Sequence, residues 1–531
     1  MGWLRSHQLL FGTIVVGVVA RVVFWAATDR RFEDALITIK HAKNAVNGHG
    51  LVHHLGEDRV QGFTSALSVL VPIPGELIAA DGGLVAMRLA SLVAFAVAAV
   101  YAYRIAQELQ LTTWPTAFVL AYLALDQNQI FYGMAGMETQ IAVAVLLAGI
   151  YYMLNEDFAR TGISLGLALL ARPDFVLWVV PAYVFLLLRN PRNAVGAGSI
   201  SAAIVAPWVL FTTAYYGSPV PHTIEAKSLV FSPAMPTATD LSGWLTFAGD
   251  QLQFHRHDWS FLAPFLEKSL VVDTPLPYSL LKVFAFLVAG LAIIGACATW
   301  SRAAWRPAIT FVLLYIAYVI AFQNLISYFL WYYQPVLAVV ILLAAAGLDR
   351  LTAPRPKIAV VIAACGALLY SIQLPFTIPL DADVQHGIED RVRMPLGQYL
   401  ERAVRPGQTI TSEPSGYVGY YTNGTLYDFP GLTSPTVADT LKKVSADYRN
   451  PWSIVYLMHP DWAVMRPGEL DAMTQTYPRT AKHYVTVRQF QVPLSQPSLH
   501  WMGTRMSNID REFSVLRRIP LRKSGGSRPS R

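Results

Sequence analysis

Two neighbouring carboxylates, Glu33 and Asp34, stand in RRFEDALITIK (residues 30–40), directly after an apolar run long enough to cross a bilayer. A carboxylate partly shielded from water there has its pKa raised and can act as general base toward a sugar hydroxyl, or it can bind a divalent cation such as Mg²⁺, Mn²⁺ or Ca²⁺. The competing reading is a solvated helix start, where acids are favoured by the helix dipole alone. A helix entered from Phe32 places Glu33 and Lys40 on one face and Asp34, Thr38 and His41 on the adjoining one. A second chemical stretch is YYGSPVPHTIEAKS (215–228), whose glycine and prolines build a rigid turn in front of His222 and Lys227. A lysine at the membrane surface is a point charge suited to a phosphate leaving group, and equally a snorkelling cation of an aromatic belt. GMETQ puts Glu138, and LLARPDF puts Arg172 and Asp174, at the ends of apolar runs, where charges either serve function or clamp helices. His255, His257 and Asp258 have loose zinc-ligand spacing with no fourth ligand in view, so any metal is left unknown.

The elements that must position these groups follow from composition. The chain has 531 residues, 54% of them hydrophobic and only 14% charged, with a mean hydropathy of +0.39. That is too little polar surface to wrap soluble domains, so the chain reads as a polytopic membrane protein. Its apolar runs are mostly about 17 to 24 residues long without strict alternation, which excludes a β-barrel. The two cysteines, Cys297 and Cys365, fall inside apolar runs and read as small core residues, with no disulfide framework. The net charge of +7 sits mostly in short gaps between apolar runs, a topological pattern that leaves no case for nucleic acid.

Hydropathy places about eleven transmembrane helices at 8–27, 84–107, 114–131, 138–154, 161–172, 175–189, 194–215, 278–299, 307–323, 328–348 and 357–374. The first run follows Arg5 but lacks a small-residue cleavage site, so it reads as a retained span. SALSVLVPIPGELIAA (65–80) carries two prolines and a glutamate and reads as a juxtamembrane segment. With a cytoplasmic N-terminus, the short cytoplasmic loops collect most of the Arg and Lys, although Arg30 and Arg31 run against that bias. The opposite side then receives the first loop (28–83) with its acidic pair, GMET, RPD, a long loop (216–277) and a polar C-terminal region. In that region QTITSE, TLYDF and DWAVM are strand-like runs among Pro, Gly and Asn turns, which predicts a small extracytoplasmic α/β domain over 375–516. Residues 517–531 read as a basic, disordered tail behind the 1–374 membrane domain and the α/β domain.

FEDALITIKHAKNAVNGHGLVHHLGEDRVQGFTSAL resembles the first outer loop of GT-C-fold glycosyltransferases, especially the mycobacterial terminal β-arabinofuranosyltransferases. GMET, LARPD, YYGSPVPHTIEAKS and EPSGYVGYYTNGTLYDFPGLTSP are similar to further motifs of that family, in the family's order and over about 430 residues. Glu33, Lys40, His222 and Ser434 stand where the family has Asp, Arg, Asn and Asp. The resemblance implies a GT-C membrane glycosyltransferase that moves a monosaccharide, with D-arabinofuranose the best guess, from a polyprenyl-phosphate donor. The acceptor would be an envelope glycan or a glycoprotein such as pilin, outside the bacterial plasma membrane. By the same resemblance Asp34 is the catalytic carboxylate and Glu33 its partner or a cation ligand. Lys227, His222 and Lys40 hold the donor phosphate, and Gln61, Thr64, Glu138, Arg172 and Asp174 line the cleft. Tyr332 packs along the lipid tail or donates a hydrogen bond, with a plain belt aromatic the equal alternative, and Glu413, Tyr420 and Asp428 grip the acceptor. Rival readings are a transferase of mannose or glucose from its own polyprenyl phosphate, and a lipid-linked-sugar transporter. Transport needs polar residues lining both halves of the membrane, and here they crowd on one side.

Overall fold

The computed structural model describes residues 2–231, 240–258, 278–322, 330–493 and 510–519. The apolar runs are helices, as a chain in lipid requires, because only a helix satisfies its backbone polar groups within the segment. In order they are α1 (Gly2–Thr28), α2 (Glu33–Val46), α3 (Ala66–Leu70), α4 (Pro72–Ile78), α5 (Gly83–Glu108), α6 (Thr113–Leu125), α7 (Gln127–Met134), α8 (Thr139–Leu154), α9 (Phe158–Ala171), α10 (Val176–Arg189), α11 (Pro191–Tyr216) and α12 (His222–Phe231). Four further apolar helices follow at Tyr278–Thr299, Arg306–Phe322, Gln334–Thr352 and Pro356–Val384. Among the described residues five helices are long and apolar enough to cross a membrane, at 8–28, 83–108, 191–216, 334–352 and 356–403. Several of the other expected spans are shorter helices, including 139–154 and 158–171.

Three sequence expectations are corrected. The run 114–131 is two helices, because the Asp126 carboxylate accepts the Asn128 and Gln129 N–H groups at 3.1 and 3.0 Å and starts α7 afresh. Cys297 and Cys365 are exposed on their helices, not packed inside. The division expected between 374 and 375 falls inside a helix, which continues through Pro375 and Pro379 to Val384. From there it runs as a π-helical stretch, Gln385–Arg393, into the helix Met394–Ala403. Glu389 and Arg393 are buried on that wide-turned stretch.

The C-terminal region carries one five-stranded sheet: β1 (Thr409–Ser412), β2 (Thr425–Asp428), β3 (Trp462–Met465), β4 (Tyr484–Gln491) and β5 (Glu512–Arg518), in the order β2-β1-β3-β5-β4. The three strand-like runs read from sequence are β1, β2 and β3, and they are parallel, with Ile410 opposite both Leu426 and Trp462. β5 joins β3 antiparallel, and β4 joins β5. Arg517 and Arg518 belong to β5, so a basic tail can begin only beyond them; residues 520–531 lie outside the described residues.

The sheet region docks onto α2 through the helix Ser415–Tyr421. Glu33 accepts the Gly416 N–H at 2.9 Å, and Lys40 donates to the Tyr420 and Thr422 carbonyls at 3.1 and 3.2 Å. An acid thus meets the helix start and a cation its end, both matched to the helix dipole. The approach at Gly416 is so close that a Cβ there would lie 2.3 Å from Glu33 Cγ.

Candidate functional site

α2 is the element that aims the chemistry. Its entry is pinned by the Phe32 N–H bond to the Ala135 carbonyl at 3.0 Å, and the Phe32 ring packs edge-on against Phe131, Tyr132 and Trp331. From that anchor Glu33 and Lys40 face the sheet region, while Asp34, Ile37 and Thr38 face a cavity of about 540 Å³. α12 supplies Lys227 and Thr223 to the same cavity, and the ends of α8 and α9 supply Glu138 and Arg172. α12 is oriented by the end of α11, where Gly217 takes φ 78 as the left-handed cap. Before it, the Tyr216 hydroxyl donates to the Leu51 carbonyl at 2.6 Å and Tyr215 accepts the Leu51 N–H, tying α11 to the loop after α2.

The cation side of the cavity is a relay of contacts. Lys227 Nζ donates to the Tyr332 hydroxyl at 3.0 Å, and the Arg172 guanidinium lies 4.5 Å over the Tyr332 ring. Arg172 grips Asp174 through two bonds of 2.9 and 3.0 Å and reaches Glu138 at 3.4 Å. Asp174 also accepts the Tyr315 hydroxyl at 3.2 Å, so it serves as the clamp that holds Arg172 in place. Burial raises the Asp34 carboxyl above its usual range, with Lys227 pulling it down and Glu413 adding to the rise. Burial works against the charge of Lys227, but Tyr332 and Asp34 outweigh it and hold the ammonium above its ordinary range. Asp34 is therefore a more basic carboxylate than a solvated one, facing a lysine that stays charged.

Asp34, Ile37, Lys227 and Leu432 also line a second cavity of about 550 Å³. Glu413 and Arg466 in its wall directly follow β1 and β3, and Phe429 follows β2. It is the crevice beyond the carboxyl ends of three parallel strands, the usual ligand position in an open α/β sheet. Arg466 bonds Glu413 at 2.6 Å, Glu469 at 2.8 Å and Asp510 at 2.7 Å. Arg393 bonds Glu33 at 2.8 Å, Glu389 at 3.4 Å and Asp510, and Arg30 bonds Glu389 at 3.1 Å. Burial lifts Glu33 to about 7, against the pull of Arg393 and with help from Glu413, Asp510 and Glu389.

The structure thus brings Asp34, Lys227, Thr64, Glu138, Arg172 and Tyr332 to one cavity and Glu413 to the next. The other residues singled out from sequence lie elsewhere. Lys40 is occupied by two carbonyls, and Gln61 is buried beside Gly62, which does line the cleft. His222 stands 3.8 Å from Glu225 on α12, outside the cavity lining. Tyr420 lies on the far side of α2, where its hydroxyl donates to Asp81. Asp428 is fully buried and accepts the Leu432 and Thr433 N–H groups and the Thr433 hydroxyl, which shapes the turn bearing Leu432. The side chains of His255, His257 and Asp258 lie outside the described residues. Sequence reasoning missed Arg393 and Arg466, since each sits in a short charged segment with no pattern of its own, EDRVRM and MRPGEL.

A family described as "Domain of unknown function (DUF8728)" matches residues 383–514, the sheet region with the π-helical stretch. A terminal beta-(1->2)-arabinofuranosyltransferase of Corynebacterium glutamicum is 26% identical over 260 residues, 42% of this chain. That match spans 37% of the curated relative's own length. Among solved structures, ArnT from Cupriavidus metallidurans bound to undecaprenyl phosphate superposes with a TM-score of 0.53 at 12% identity, covering 95% of this chain and 97% of that one. The archaeal oligosaccharyltransferase AglB from Archaeoglobus fulgidus, in complex with an inhibitory peptide and a dolichol-phosphate, gives 0.53 at 11% identity, covering 92% and 74%. With superpositions that cover more than nine-tenths of it, the chain has the GT-C fold of membrane glycosyltransferases.

Proposed function

We propose that this chain is an integral membrane glycosyltransferase that moves a monosaccharide, D-arabinofuranose in the finer reading, from a polyprenyl phosphate to a hydroxyl of an envelope glycan or glycoprotein. The observation that carries the proposal is the position of Asp34 and Lys227 on the wall shared by two cavities. In this reading the first cavity takes the donor. Lys227 and Arg172 meet its phosphate, and Tyr332 holds Lys227 in position. The second cavity brings in the acceptor along the strand ends. The acceptor hydroxyl gives its proton to Asp34 as its oxygen bonds to the anomeric carbon. The bond from that carbon to the phosphate oxygen breaks, and the electron pair leaves on the polyprenyl phosphate, whose charge Lys227 offsets.

The donor class draws support from the undecaprenyl phosphate and dolichol-phosphate held by the two solved proteins of this fold, and the sugar from the arabinofuranosyltransferase match. The active site is placed on the extracytoplasmic side of a bacterial plasma membrane, following the bias of Arg and Lys in the loops. A divalent cation would find one carboxylate here that makes no direct ion pair among the described residues, Asp34, which has Lys227 as its nearest charge, since Glu138 and Asp174 are held by Arg172. Most of its ligands would have to be phosphate and water oxygens.

The test offers radiolabelled arabinofuranosyl and mannosyl polyprenyl phosphates side by side to purified wild-type and Asp34→Asn protein. Loss of a general base predicts transfer reduced by about 10² to 10⁴ with unchanged thermal stability. A variant that keeps its rate removes Asp34 from the reaction, and turnover of the mannosyl donor alone removes arabinofuranose.

A further inference from the structure

The face of α2 turned away from Asp34 lines a third cavity, of about 610 Å³, that the proposed reaction does not use. Leu36 and Ile39 form its α2 wall and Leu84, Val85 and Arg88 its α5 wall, with Asp29, Arg31 and Asp81 between them. Three tyrosines of the helix Ser415–Tyr421 close it: Tyr417, Tyr420 and Tyr421.

The polar lining is largely paired. Asp29 is bonded by Arg31 at 2.8 Å and by Arg88 at 2.7 Å, and Asp81 by Lys43 at 2.8 Å and by the Tyr420 hydroxyl. Arg31 and Arg88 share Asp29 while Lys43 holds Asp81, so one positive charge is left over and phosphate is the competitor that the test must exclude. Yet hydrogen-bonding capacity is left over. The side chains of Asp29 and Asp81 are 43% and 58% exposed, leaving lone pairs open to a hydroxyl. The Tyr421 hydroxyl has no hydrogen-bond partner among the described residues. Donors, acceptors and aromatic rings are what a polyol needs, because each of its hydroxyls both gives and accepts a hydrogen bond while its C–H faces pack on rings.

We infer that this cavity is a second, non-catalytic binding site for a saccharide unit, held between the α2–α5 wall and the three tyrosines. It deepens the glycosyltransferase reading by giving the protein a grip on glycan away from the bond being made. Occupancy would also brace the helix Ser415–Tyr421 against α2, the same contact that Glu33 and Lys40 make from its two ends.

The test measures binding in the Asp34→Asn protein, so that it stands whether or not transfer is ever observed. Detergent-solubilised protein is titrated with a hexasaccharide of arabinofuranose units, with inorganic phosphate, and with nanodiscs containing phosphatidylglycerol. Val85→Trp fills the cavity from its rim without removing a hydrogen bond, and Tyr421→Ala removes one ring; melting temperatures matching the parent certify folding of either. The expected result is hexasaccharide binding that weakens at least tenfold in each correctly folded variant and is unaffected by phosphate. Equal affinity in parent and variants, no saccharide binding at all, or displacement by phosphate or phosphatidylglycerol would each overturn the inference.

Discussion

Replacing Arg393 with methionine tests how Asp34 is held, without touching the cavity that holds the donor in the proposed reaction. Arg393 is buried and meets three carboxylates, Glu33, Glu389 and Asp510. Asp510 keeps Arg466 and Glu389 keeps Arg30 when it is gone, but Glu33 keeps only the Gly416 N–H. Removing one partner of a buried ion pair costs about 3–5 kcal/mol, and the two surviving arginines put this case near the lower figure. The sign with pH follows from Glu33, lifted from 4.5 to about 7. A carboxyl raised on folding contributes stability that is complete below about 4.5 and is lost as pH climbs through about 7. Arg393→Met should therefore melt lower than wild type by more at pH 8 than at pH 5.5, and expose the sheet region to limited proteolysis at the higher pH. Adding Glu33→Gln removes the stranded charge and should return part of the loss. Because Glu33 precedes Asp34, a loosened first turn should also lower transfer, and a 1 Å misplacement can cost about 10²-fold. Wild-type melting and digestion at both pH values, or a double variant no better than the single one, would refute the account of Glu33 as the tether of α2.

Lys227→Met removes a charge-assisted bond to phosphate worth about 1.5–3 kcal/mol, so kcat/KM should fall about 10- to 150-fold while the melting temperature holds; an unchanged kcat/KM contradicts the donor site. Gly416→Ala forces a methyl group against Glu33 and should destabilise by about 1–3 kcal/mol, read as a lower melting temperature, with no effect if the helix Ser415–Tyr421 docks elsewhere. EDTA should leave transfer near its untreated rate, since Lys227 already supplies a cation at the phosphate; a loss restored by Mg²⁺, Mn²⁺ or Ca²⁺ would place an ion beside Asp34.

Local properties of the chain carried much of this. Helical runs follow from hydropathy, and β1, β2 and β3 from short β-branched and aromatic runs between turns, because both signals lie within a few residues of one another. The acid pair and Lys227 stood out as charges beside apolar runs, and Glu33 with Lys40 does share one face of α2. What sequence left undivided was the labour of Glu33 and Asp34. One helical step turns a side chain by about 100°, enough to send one carboxylate to an arginine and its neighbour to a cavity. Which partner waits on each side is set by docking of a segment 383 residues away, as the bond between Glu33 and Gly416 shows. The same docking consumed Lys40, carried Tyr420 to the far face of α2 and gathered Arg393 and Arg466 around the acids. Residue types and their spacing determined which groups could do chemistry; only the packing of distant elements decided which of them face a shared cavity, because burial and charge pairing depend on neighbours in space.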